Sequence, residues 1–273
     1  MATAGVSRTT RVAAGYEPLA EATLDRRRTA IFAVALLVVV AAVTLTRTGD
    51  FPVYLVGAQH MLEGAEVYRL KGDAATNTAP FTYPPFFAFV FIPLAALPPA
   101  LVKPAWALIV WAALLAVCRM LSRAASLGMP ASRGALRPAP LVLWTLVGVL
   151  GGRHIMSILE GVSHDALTLL LITAAATATA FDRSNLGGVC AGLAAACKAT
   201  PLLFGPVLAW QRRWVAAGAV FAAVVVATLL PDFVTPRADG TPWIVSWYHT
   251  FVAGEVRPGA DVPRSIWPEW NIF

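Results

Sequence analysis

Two ionisable residues sit where a membrane border alone does not account for them. Asp50 lies just past the first long apolar block, and Lys198 stands midway along the otherwise uncharged stretch Ser184–Gln211. A carboxylate beside a membrane surface can take a proton from a hydroxyl, a general-base role that contributes about 10²–10⁴-fold. Spacing alone equally fits Asp50 as a cap for the helix that Pro52 begins, because an acid ahead of a helix is favourable. Lys198 within a span costs at least about 2.5–3.5 kcal/mol, which makes it a functional candidate by default. Pro201 withholds a helical hydrogen-bond donor, so a kinked or broken helix would present Lys198 to an anionic group. Snorkelling, or a structural pair with an acid such as Asp165, accounts for it as well. An unbroken helix from Leu186 would carry Lys198 about 18 Å along its axis, deep for a lipid phosphate. The stretch from Gly151 to Asp165 adds Arg153, His154, Glu160 and His164. No compact pair there has metal-ligand spacing, so a solvated connecting loop is expected and no metal site.

These groups must be positioned by a very apolar chain. Of 273 residues, 58% are hydrophobic and 13% charged, with a mean hydropathy of +0.68; a soluble domain runs about 45–50% apolar and about 25% charged. The apolar residues form long blocks: Thr29–Thr46, Ala74–Val102, Pro104–Cys118, Pro138–Gly152, Ala166–Phe181, Ser184–Gln211 and Trp214–Pro231. A bilayer core needs roughly 17–25 helical residues, and strict alternation is absent, which excludes a barrel. The fold class expected is all-α, a polytopic transmembrane bundle of about seven spans. The net charge of +6 does not point to nucleic acid, because its largest cluster, Arg26-Arg27-Arg28, marks a cytoplasmic flank. No small-residue cleavage site follows the first block, so the N-terminus stays inside and uncleaved. Cys118, Cys190 and Cys197 all lie in apolar blocks and read as packing residues.

The organisation expected is a cytoplasmic tail over 1–28, a bundle over 29–231 that includes an external loop over 47–82, and a further external loop or surface helix over 232–273. In the first loop, Tyr54, Leu55, Ala58, Met61 and Leu62 recur at helical spacing between Pro52 and Gly64, predicting an amphipathic helix on the membrane surface. Tyr83-Pro84-Pro85 opens the second span, and the tight Pro99–Pro104 connection returns the third as a hairpin. Strict alternation then puts Arg123–Arg137 outside, against the positive-inside rule. Two compensating exceptions, one early block and the broken Ser184–Gln211 block failing to cross, would remove that conflict. Trp243, Trp247, Tyr248, Trp267 and Trp270 read as interfacial anchors, and the ending at Asn271-Ile272-Phe273 without a polar tail suggests a truncated polypeptide. No Gly-rich phosphate loop, HExxH, GxSxG or DxD is present, which argues against nucleotide-driven pumps and the common hydrolases.

Asp50 with Tyr54, the run Leu62-Glu63-Gly64-Ala65-Glu66-Val67-Tyr68, Tyr83-Pro84-Pro85, Ala191-Gly192-Leu193, Lys198, Pro201 and the turn Gln211-Arg212-Arg213-Trp214 together resemble glycosyltransferase family 87, membrane enzymes of the GT-C fold. Gly161-Val162 stands where that family usually has Gly-Gln. The resemblance implies an inverting transferase in the cell membrane. It would move mannose, or arabinofuranose, from a polyprenyl-phosphate donor to a lipid or glycan acceptor on the outer face. It also implies Asp50 as the catalytic base. A phosphate leaves already ionised, so no general acid is needed and a cation that offsets its charge helps. Lys198 is the residue nominated for donor-phosphate binding. Arg153 is the alternative, although strict alternation places it on the cytoplasmic side. The polyprenyl-phosphate sugar is a substrate, no cofactor is implied, and a metal requirement is left open. The competing class is a transporter or non-catalytic membrane scaffold that uses Lys198 in a broken helix.

Overall fold

The computed structural model describes residues 26–69, 73, 78–128 and 151–253. The tail over 1–25, most of the Pro138–Gly152 block, and Trp267 and Trp270 lie outside the described residues. Helices run over α1 (Arg26–Thr46), α2 (Phe51–Leu62), α3 (Pro85–Ala95), α4 (Pro99–Gly128) and α5 (151–160), then α6 (Asp165–Ala180), α7 (Ser184–Cys197), α8 (Phe204–Trp210), α9 (Trp214–Val234) and α10 (Trp243–Trp247). A 3₁₀ turn, Thr200–Leu203, joins α7 to α8, and a π-helical turn, Tyr248–Val252, follows α10. Among the described residues the one β feature is an isolated bridge between Asp73 and Thr78. Among the described residues three helices are long and apolar enough to cross a membrane, Thr29–Thr46, Pro99–Ala124 and Trp214–Val234; the other apolar helices there are shorter. The expected class, an all-α apolar bundle, is met, and the described residues hold three candidate spans of the about seven expected.

Contacts between chain ends set the path. Lys103 Nζ donates to the Arg47 carbonyl at 2.9 Å, and Trp111 Nε1 donates to the Ala33 carbonyl at 2.9 Å. Because α4 advances while α1 recedes between those contacts, the two helices are antiparallel and α4 starts where α1 ends. Helix α3 begins beside Tyr83, whose ring meets His164 at 4.7 Å, and ends just before α4, so both its ends lie at that same end of the bundle. Its eleven residues are fewer than a straight span of a bilayer core needs. They pack Phe87 and Phe91 against Phe51 and Tyr54 of α2, and Trp106 of α4 closes the cluster, stacked on Phe51 at 5.6 Å. The stripe Phe51, Tyr54, Ala58 and Met61 of α2 is fully buried in this aromatic core. The predicted amphipathic helix forms, with Pro52 in its first turn and Gly64 at φ +66° just past its C-cap, but its apolar face is covered by protein and not by lipid.

The strict alternation expected from sequence is corrected in two places. Besides α3, the block Ser184–Gln211 folds back on itself. Helix α7 ends at Lys198, whose backbone is extended at φ −149°, and the 3₁₀ turn with α8 returns the chain to the end from which α7 came. There Arg213 donates to the Thr179 carbonyl at 3.0 Å and to Ser184 Oγ, tying the α6–α7 and α8–α9 turns together. Arg123 near the end of α4 lines the same groove as Phe181 and Arg183. The arginine-bearing end of α4 therefore sits opposite Asp50, and the Arg26-Arg27-Arg28 triplet starts α1 at that opposite end.

Helices α7 and α9 approach closely through glycine. A Cβ on Gly188 would strike the Ala216 carbonyl, and one on Gly192 the Val220 carbonyl and the Ala223 side chain. Small residues four apart let membrane helices bring their backbones together and gain dispersion contacts that lipid cannot replace. Gly218 on α9 has open space around its Cβ position. Gly192→Leu should lower the thermal unfolding midpoint in detergent by the equivalent of about 1–3 kcal/mol of overpacking. Gly218→Ala should leave it unchanged or raise it slightly, because a helical glycine costs about 0.5–1 kcal/mol relative to alanine.

Candidate active site

Asp50 is placed by two turns docked backbone to backbone. The Asp50 N–H donates to the Gly161 carbonyl at 2.9 Å. Gly49, at φ +45°, has no room for a side chain, since a Cβ would fall on that carbonyl. The opposing turn closes through Gly161 N–H to Ser157, Val162 N–H to Leu159 and Ser163 N–H to Ile158. Val162 adopts φ +47° with its side chain buried, a strained conformation for a β-branched residue. The Gly161-Val162 turn thus has a structural task, to offer the carbonyl that receives the Asp50 amide.

Side chains converge on the same spot. Asp50 makes no side-chain cap bond to α2; its Oδ2 accepts from the Tyr54 hydroxyl at 3.4 Å. The Tyr54 oxygen lies 3.2 Å from His164 Nδ1 and 3.5 Å from the Tyr83 hydroxyl. Asp165 opens α6, with Oδ2 accepting from Ser163 at 3.0 Å and Oδ1 from Lys198 Nζ at 2.8 Å. Burial pushes the Asp50 carboxyl up; the Tyr54 hydrogen bond opposes that, the Asp165 charge adds to it, Lys198 opposes, and the net shift is upward. Burial also raises Asp165, but the bond and charge of Lys198, with His164 and Ser163, outweigh it and bring that carboxyl down. Burial holds the His164 imidazole neutral by lowering its pKa.

Of the residues nominated from sequence, the structure unites Asp50 and Lys198 at one end of the bundle. The depth problem for Lys198 disappears because the helix stops there, leaving its side chain 45% exposed and paired with Asp165. Arg153 is not brought to this place. It is exposed on α5, eight residues, or about 12 Å of helix, before Gly161. The solvated-loop expectation fails for residues 161–165: His164 is 1% exposed and enclosed by aromatic rings. Among the described residues no group of three or more His, Cys, Asp or Glu could hold a metal ion.

A second polar cluster closes this end. Arg237 Nη2 donates to Glu66 at 2.9 Å and to Asp239 at 2.7 Å, and its guanidinium lies over the Trp243 ring at 5.3 Å. Glu66 also accepts from Ser246 and from the Tyr68 amide. Trp243, expected as an interfacial anchor, is instead fully buried, its indole N–H bonded to the Thr235 carbonyl at 2.7 Å. Glu66, Tyr68 and Thr82 of the first loop therefore dock on Arg237, Ser246, Trp247 and Phe251. Sequence reasoning missed Tyr54, His164 and the Glu66–Arg237 pair as site elements; a His-Asp pair opening an apolar run was the available signal for the second of these.

The two carboxylates should respond oppositely to pH. A folded pKa above the unfolded one gives stability that is present in acid and lost as pH rises through the folded value, so ionised Asp50 is a liability at neutral pH. Asp165, lowered, contributes stability that is lost only as pH falls through its folded pKa. Thermal melts should show Asp50→Asn at least as stable as wild type at pH 7, with the advantage gone below the ordinary carboxylate range. Asp165→Asn should be less stable than wild type at pH 7, converging with it in acid.

Residues 81–257 match the family model for glycosyltransferase family 87. The chain is 31% identical over 233 residues to a polyprenol-phosphate-mannose-dependent alpha-(1-2)-phosphatidylinositol pentamannoside mannosyltransferase of Mycolicibacterium smegmatis, covering 83% of this chain and 51% of that protein. It is 31% identical over 186 residues to the protein of the same description from Mycobacterium tuberculosis, covering 66% of this chain and 41% of that one. The chain thus spans about half the length of the curated relatives it matches, and no solved structure matches it. With the acid-bearing first loop and the broken Lys-Pro helix at one end of an apolar bundle, these matches make the chain a member of glycosyltransferase family 87.

Proposed function

We propose that this chain is an inverting membrane glycosyltransferase that moves mannose from a polyprenyl-phosphate donor to a lipid or glycan acceptor at the outer face, with Asp50 as general base and Lys198 as the donor-phosphate group. The observation that carries the reading is that Asp50 and the Lys198–Asp165 pair lie at one end of the bundle, near enough for the pair's charges to act on Asp50. The relatives' descriptions, polyprenol-phosphate-mannose as donor and a phosphatidylinositol mannoside as acceptor, support the substrate class.

The chemistry is a single displacement. The acceptor hydroxyl gives its proton to Asp50 as its oxygen bonds to the anomeric carbon, while the bond from that carbon to the phosphate oxygen breaks on the opposite side. A carboxylate raised by burial is a stronger base than one in water, closer to what a general base near neutral pH requires. The polyprenyl phosphate departs with the bonding electron pair, and an ammonium that can turn from Asp165 toward it lowers the cost of that charge. Lys198 is preferred to Arg153 because it shares the end of the bundle with Asp50.

Sidedness follows from charge. Arg26, Arg27, Arg28, Arg123, Arg183, Arg212 and Arg213 gather at the end opposite the site, which by the positive-inside rule faces the cytoplasm. The protein is then a multi-pass cell-membrane protein with a cytoplasmic N-terminus and an external site. Thr48→Cys should react with a membrane-impermeant maleimide on intact cells, whereas Arg212→Cys should react only after permeabilisation; the reverse pattern would overturn the orientation.

Transfer of radiolabelled mannose from polyprenyl-phosphate-mannose by the full chain tests the chemistry, with the arabinofuranose donor assayed in parallel. Asp50→Asn should lose at least about 10²-fold in kcat, and Lys198→Met should raise the donor KM. Undiminished transfer by Asp50→Asn would remove the base assignment. Failure of the wild-type chain with every polyprenyl-phosphate donor would favour the transporter or scaffold class.

A further inference from the structure

The geometry points to His164 as a positioning residue that, through Tyr54, aims a hydrogen bond at Asp50; this deepens the reading above and rests on Asp50 being the base. His164 is 1% exposed, boxed by the rings of Tyr54, Tyr83 and Phe87 at centroid distances of 5.6, 4.7 and 4.3 Å. Its Nδ1 lies 3.2 Å from the Tyr54 oxygen, which in turn lies 3.4 Å from Asp50 Oδ2. Its Nε2 is buried with no hydrogen-bond partner, and the nearest acid, Asp165, is 3.9 Å away. The groups facing this chain from the elements around it are Asp50, Tyr54 and Tyr83 on one side and Asp165 and Lys198 on the other.

A neutral imidazole carries one N–H, and its location decides where the Tyr54 proton goes. On Nδ1, the proton is donated to Tyr54, whose own O–H then points to Asp50, making two bonds. The Tyr83 hydroxyl fills the second lone pair of the Tyr54 oxygen. On Nε2, the proton has no acceptor within reach, the Tyr54 O–H is drawn to bare Nδ1, and Asp50 loses its donor. Two hydrogen bonds outweigh one, the more so because one acceptor is a carboxylate, so the Nδ1–H tautomer prevails. Tyr54 then holds Oδ2 of Asp50, leaving the other oxygen to receive the acceptor's proton, and stabilises the ionised carboxylate against the burial that raises its pKa.

The test uses the full chain and reads the acid limb of the pH profile of kcat/KM for mannose transfer. Tyr54→Phe removes the donor to Asp50 and should move that limb upward by about one pH unit; His164→Gln keeps the Tyr54 O–H but no longer aims it, and should move the limb upward by a smaller amount. His164→Asn places an amide N–H where Nδ1–H was and should keep the wild-type midpoint. A wild-type midpoint for Tyr54→Phe, or equal shifts for the Asn and Gln variants, overturns the inference. Independently of activity, ¹⁵N NMR of histidine-labelled protein should find His164 protonated at Nδ1 and bare at Nε2; the opposite tautomer also overturns it. Full transfer by Asp50→Asn would instead sink the base assignment, and the tautomer measurement separates that failure from this one.

Discussion

The hydrogen bond from the Asp50 amide to the Gly161 carbonyl is the contact on which the site depends. It requires Gly49, because any side chain there would occupy the place of that carbonyl, and it requires the opposing turn to hold Val162 in a left-handed conformation. Strain of this kind persists only where surrounding contacts over-determine it. Here the buried Val162 side chain and the backbone bonds of residues 157–163 supply those contacts. With the two turns locked, α2 departs from Asp50 at a fixed angle and α6 departs from Asp165, so Tyr54 and His164 meet.

The aromatic core serves the same geometry. Helices α2 and α3 are too short to cross a bilayer, and they gain stability by burying Phe51, Tyr54, Phe87 and Phe91 against Trp106 and one another. Offset and edge-on aromatic pairs add about 0.5–1.5 kcal/mol each beyond area burial. A rigid apolar platform of this sort lets a half-buried carboxylate keep its direction. The Glu66–Arg237 pair under Trp243 closes the layer from the other side. It joins segments far apart in sequence and keeps the first loop from swinging away from the bundle.

Charge is distributed in a way that separates location from chemistry. Arg123, Arg183 and Arg213 gather at one end, whereas Arg47 and Arg237 lie at the other, each held by contacts of its own. At the other end a lowered Asp165 with Lys198 and a raised Asp50 sit within one electrostatic neighbourhood. Burial raises Asp50, the Asp165 charge adds to that and Lys198 opposes it, while the bond to Asp165 holds the Lys198 side chain in place.

Composition and block length by themselves determined the all-α apolar class, because long uncharged blocks without strict alternation can satisfy their backbone in lipid as helices and not as a barrel. Local sequence also determined α2, with Pro52 and Gly64 at its ends, and the break at Lys198 ahead of Pro201. Asp50 and Lys198 stood out because each breaks the rule that charges mark borders. Only tertiary structure decided how the apolar blocks fold against one another. The Phe-rich α3 and the folded-back Ser184–Gln211 segment are as apolar as true spans, and their paths are set by contacts to Phe51, Lys103 and Arg213 that no local pattern encodes. Only tertiary structure likewise assembled Tyr54, His164 and Asp165 around the base. A buried histidine and a solvated one read alike in sequence, and what distinguishes them is the set of rings that folding brings to enclose it.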